Sequence, residues 1–126
     1  MSRLADHISR FKAAIQHEND TYRRNPCIDS AADAATAAVG RCIAAIEAIT
    51  PEPAERMIYA QAMAAALRWW AIAEGTYSAA DIESIATVRL IDLTLAGTDY
   101  DALPWLWHER GKLLASRPSP VVLVAA

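Results

Sequence analysis

The run "MIYAQAMAAALRWWAIA", residues 57–73, is apolar on nearly every side and is broken only by Gln61 and Arg68. It is short for a bilayer span and carries a charge, so it reads as a helix buried in protein. At about 100° per residue, Ala60, Met63, Ala64, Leu67, Trp70 and Ala71 share one face. Ile58, Ala62, Ala65, Trp69 and Ile72 share another, nearly opposite. A helix that is apolar all round must be covered all round. Either the other helices of the chain wrap it, or its second face meets another chain. The second alternative makes Ile58, Trp69 and Ile72 interface candidates. The adjacent Trp69 and Trp70 diverge by about 100° and cannot line one flat site. Core packing is the default for both, with one of them left to fill an interface or a pocket.

The rest of the chain reads as helices around this one. Leu4, Ile8, Phe11, Ile15 and Tyr22 form a narrow stripe over residues 2–23, ended by Pro26. A second helix begins near Asp29 or Ser30 and runs to Ile49, with Ala32, Ala35, Val39, Cys42, Ile43, Ile46 and Ile49 as its stripe. Its alanine-rich first half invites close approach. "TPEPAE" supplies Thr50 as cap and Pro51 as first helical residue for the third helix, which Gly75 should stop. "SAAD" at 78–81 opens a fourth helix, closed by Gly97, with an apolar face of Ile82, Ile85, Ala86, Val88, Leu93 and Ala96. A shorter fifth helix is predicted over 102–115, weakened by Gly111. No stretch alternates with period two for long enough to make a sheet. The expectation is an all-α single-domain antiparallel helical bundle over residues 1–116, with four long helices and a fifth. An extended apolar tail, "RPSPVVLVAA", either docks in a groove or stays disordered, and its domain boundary is set at 117–126.

Four charged residues fall where the pattern wants apolar ones: Glu74, Arg89, Asp92 and Arg110. Buried charges need partners. The bland reading is a neutral salt-bridge cluster or arginines reaching the rim. The functional reading is a polar pocket floor between helices three, four and five, in which an arginine binds a small anionic ligand. In the fifth helix, "LPWLWHERGKLL" turns Leu106, Trp107, Leu113 and Leu114 inward and leaves Trp105 and His108 on the polar side. Those two become candidate contacts to a partner or second subunit. His108 and Glu109 diverge and make a poor acid–base pair.

Composition narrows the function classes. Apolar residues are 54% and charged residues 21%, which argues against disorder. Residues 1–25 hold five basic and three acidic groups, residues 26–102 four and eleven, and residues 103–126 three and one. An acidic middle of this kind argues against nucleic acid as a partner. Cys27 and Cys42 have neither zinc nor disulfide-framework spacing, and the first residues have no signal-peptide core, so a cytoplasmic location is expected. The alanine content suits a bacterial source. Nucleophile elbows, phosphate-cradling loops and metal-ligand motifs are missing, so no enzyme, cofactor or metal is predicted. The function expected from the sequence is association, as a homodimer or an adaptor for a partner protein. A domain sensing a small anionic ligand is the alternative.

Overall fold

The computed structural model describes residues 3–24, 29–74 and 82–105, with side chains except at 29–30, 71–74 and 82–84. Their regular structure is all helical, and no strand occurs among the described residues. The helices are α1 (Arg3–Arg24), α2 (Asp29–Glu47), α3 (Arg56–Glu74) and α4 (Ile82–Leu95), and short 3-10 turns occupy Pro53–Glu55 and Asp99–Ala102. The all-α expectation holds.

Helix α1 forms because its apolar residues return every three or four positions: Leu4, Ile8, Phe11 and Ile15 are all buried. The same stripe continues into Glu18 and Asn19, which are equally buried. On α2 the buried line is Ala32, Ala35, Val39, Ile43 and Ile46, with Cys42 and Ile49 half-buried beside it. The two helices lie along one another more extensively than any other pair. Helix α3 starts three residues later than Pro53, which occupies the first position of the 3-10 turn. The Glu52 backbone N–H there donates to the Glu55 carboxylate at 3.4 Å. A proline at a helix start loses nothing, because its missing N–H would have had no partner in the helix. Helix α4 ends where Gly97 takes φ 76°, a left-handed conformation that suits glycine, and Thr98 returns its N–H and hydroxyl to the Leu95 carbonyl.

One core joins all four helices. From α3 it takes Ala62, Ala64, Ala65, Ala66 and Trp69, and from α4 Val88, Ile91 and Leu95. On the face of α3 that carries Leu67 and Trp70, those two and Ala60 are exposed, while Ala64 is buried and Met63 half-buried. On the other face, for which wrapping by the chain's own helices or a second chain were the alternatives, Ala62, Ala65 and Trp69 are turned inward and Ile58 is exposed. Alanines at 62, 65 and 66 leave room on the inward side of α3 for neighbouring helices, with the large Trp69 buried beside them. On α4, Leu93 and Ala86 were expected in the core and are exposed, while Ile91 and Leu95 are buried.

Of the expected fifth helix only residues 102–105 are described, and they are not α-helical. Residues 99–102 make a 3-10 turn, and Leu103 is extended at φ −69°, ψ 143°. Pro104 gives the reason, since the residue before a proline is pushed out of the helical region. The remaining span expected to be helical, residues 106–115, and the tail at 117–126 lie outside the described residues.

Candidate functional site

Two features stand out: a polar cluster inside the fold and an apolar face outside it. The cluster starts from three buried polar side chains, Glu18 and Asn19 on α1 and Arg68 on α3. Glu18 is 1% exposed. One of its oxygens accepts from the Trp69 indole Nε1 at 2.9 Å, the other from the Thr36 hydroxyl at 2.9 Å. The carboxylate therefore ties α1, α2 and α3 together. Burial pushes its pKa above the ordinary carboxylate range, and the hydrogen bonds from Trp69 and Thr36 pull part of the way back. Both oxygens are occupied and hidden from solvent, so the group acts as a structural acceptor.

Arg68 is the second anchor. Its guanidinium donates to Asp92 of α4 at 3.1 Å and to Asp101 at 3.0 Å, and it lies over the Trp105 ring with 5.5 Å to the centroid. A planar fork with several donors meets two carboxylates and a ring face at once, which an ammonium would do less well. The third anchor is Asn19. With its amide nitrogen turned toward the 99–105 segment, it donates to the Pro104 and Trp105 carbonyls at 3.1 and 3.0 Å. The segment closes on itself through the Trp105 Nε1, which donates to the Tyr100 carbonyl at 2.9 Å. Lys12 adds an exposed ion pair to Asp99 at 3.5 Å and sits 4.7 Å from the centroid of the Tyr100 ring. The surface pair contributes little; the ordered segment comes from the buried bonds. The Tyr100 hydroxyl is buried with no hydrogen-bond partner in the described structure. Burial, aided by the Asp99 charge, pushes its pKa up to about 12.

This clasp relocates several residues singled out from sequence. Trp105, expected on a polar helix face, is 2% exposed and belongs to the chain's own core, because the described residues 103–105 are not helical and the wheel does not place it. Trp69, expected at an interface, is 6% exposed and bound to Glu18. Ile58 is half-exposed at the start of α3, in line with Trp69 but beyond the core's edge. Asp92 is joined to Arg68, and Arg89 is half-buried on α4. The side chains of Ile72 and Glu74 lie outside the described set, as do His108 and Arg110. Arg68, passed over as an interruption of an apolar run, is the charged residue around which the cluster forms. Its signal was present: a lone arginine in such a run needs acids, and Asp92 and Asp101 were available.

The outer feature is simpler. Leu67 and Trp70 on α3 are 46% and 49% exposed, and Leu90 and Leu93 on α4 are 65% and 60% exposed. Trp70 touches Trp69 edge-on, with ring centroids 5.8 Å apart, so the exposed indole rests on the buried one. Cys42 is half-buried and free, its thiol pushed up in pKa by burial. Among the described residues no group of three His, Cys, Asp or Glu side chains could hold a metal ion, and no helix is long and apolar enough to cross a membrane. Comparison with protein-family models, curated proteins and solved structures gives no match.

Proposed function

We propose that the chain is a non-catalytic association module, an antiparallel helical bundle that works in the cytoplasm as a homodimer. The observation that carries this reading is the set of large apolar side chains exposed on α3 and α4 among the described residues. Scattered apolar residues on a surface need no explanation; large ones gathered on two packed helices mark a surface that meets something. The buried polar groups support the same reading. Glu18 and Arg68 are already satisfied by partners within the fold, so they act to order the helices. A pocket for a small anion would need a guanidinium with donors to spare. The most deeply buried one among the described residues, Arg68, is already matched by two carboxylates.

Sedimentation velocity of the full chain over a wide concentration range tests the proposal. A species of twice the chain mass that dissociates on dilution is the expected result. A single species of chain mass at every concentration would remove self-association as the function.

A further inference from the structure

We infer that residues 99–105 form a hinged strap that opens from the bundle as a unit, with Gly97 as its hinge, while α1 to α4 stay folded. The strap is attached at few points. Tyr100 packs against Phe11 of α1 with ring centroids 6.3 Å apart, and the Arg68 guanidinium of α3 lies over the Trp105 ring. Asn19 of α1 donates to the Pro104 and Trp105 carbonyls, and Arg68 donates to Asp101. Among the described residues, Tyr100 and Trp105 are the only buried core side chains outside the four helices. The bundle has ties of its own: Glu18 joins α1 to α2 and α3, and Arg68 joins α3 to α4 through Asp92. Both ties remain made when the strap leaves.

Closure carries two costs. The Tyr100 hydroxyl is buried with no hydrogen-bond partner among the described residues, and it regains water on opening. The strap's only regular structure is the 3-10 turn Asp99–Ala102, so few backbone bonds offset the chain entropy lost in ordering it. The exposed Lys12–Asp99 pair adds little. Gly97, at φ 76°, turns the chain back from α4 in a conformation that only glycine takes without strain. A segment held by a few contacts at the edge of a core opens at lower free energy than the whole fold. Closed, the strap hides Tyr100 and Trp105; open, it presents both rings and takes Tyr100 off Phe11. It is a switch on an aromatic surface, worked by one chain and needing no second copy.

Hydrogen exchange of the tryptophan indoles, followed by NMR on the full chain, tests the strap against a reference inside the same molecule. The Trp105 N–H, bonded to the Tyr100 carbonyl, exchanges when the strap opens, because so short a released segment does not hold that bond. The Trp69 N–H, bonded to Glu18, exchanges when the bundle unfolds. The expected result is Trp105 exchange about a hundredfold or more faster than that of Trp69, with a weaker response to low urea. Val39→Ala, in the buried line of α2, should speed Trp69 about tenfold and leave Trp105 as it was. Gly97→Ala should speed Trp105 about fivefold or more by backbone strain alone, since an added Cβ meets nothing within 4 Å. Equal rates with an equal urea response, or both indoles quickened alike by Val39→Ala, would overturn the strap as a separate unit. The urea comparison needs no variant and decides the matter should Val39→Ala fail to fold. A Trp105 rate unmoved by Gly97→Ala would overturn the hinge.

Discussion

Trp69 and Trp70 are neighbours in sequence and opposites in structure. Trp69 is 6% exposed, its indole N–H held by the buried Glu18, and its ring packs among the alanines of α3 and the residues of α1 and α4. Trp70 is 49% exposed and meets Trp69 edge-on. The same side chain thus serves two purposes one residue apart. On the inner side of α3, small residues bring backbones together and a polar clasp fixes their arrangement. On the outer side, large apolar residues are exposed among the described residues. Hydrophobicity alone does not separate the buried face from the exposed one; the partners of the nearby polar groups do.

Replacing each tryptophan in turn breaks the comparison most sharply. Trp69→Ala should lose about 3–5 kcal/mol of unfolding free energy, from the cavity and from a Glu18 oxygen left without its donor. Trp70→Ala, measured by denaturant melts at concentrations dilute enough for the monomer, should lose less than about 1 kcal/mol. Equal losses would mean that the two faces do not differ as described. Next in size is Arg68→Met, which strips Asp92 and Asp101 of their shared guanidinium and Trp105 of its cation. Both carboxylates retain some water, so the expected loss in the same melts is about 2–3 kcal/mol. An unchanged midpoint would show that the clasp is ornamental.

A smaller effect follows from Glu18, whose pKa burial raises above that of the unfolded chain. A group shifted in this direction contributes stability that is fully present below its unfolded pKa and is lost as pH rises through its folded pKa. Gln in its place does not titrate and can still accept from Trp69. Wild type should therefore fare best against Glu18→Gln at about pH 4 and lose ground toward about pH 7 in urea melts at each pH. A gap that does not vary with pH would contradict the assignment. The smallest effect belongs to Tyr100→Phe. Removing a buried hydroxyl without a partner among the described residues should leave stability within about 1 kcal/mol of wild type, unchanged or higher. A larger loss would reveal a bond to that oxygen.

The inner side was partly legible in the sequence. The stripes of α1 and α2 place Leu4, Ile8, Phe11, Ile15, Val39 and Ile46 correctly, because polar residues flank the stripe of α1, and on α2 the large side chains stand out against alanines. On α3 and α4 the contrast is gone. When nearly every position is apolar, the phase of the wheel is undetermined, and the choice of face falls to long-range contacts such as Glu18 with Trp69, 51 residues apart. The clasp was hidden for the same reason, since Arg68 finds Asp92 and Asp101 only once the helices are assembled. Trp105 was misread for a local reason that the sequence did contain, namely Pro104.

The central claim is that one side of α3 folds the chain and the other side associates it. The concentration dependence of the melting temperature tests both halves in one experiment, because a partner that binds only the folded chain raises the melting point as its concentration increases. The wild-type melting temperature should climb steadily with protein concentration, and that of Leu90→Lys/Leu93→Lys should stay flat. A wild-type melting temperature independent of concentration, or a slope that survives in the variant, would contradict the account.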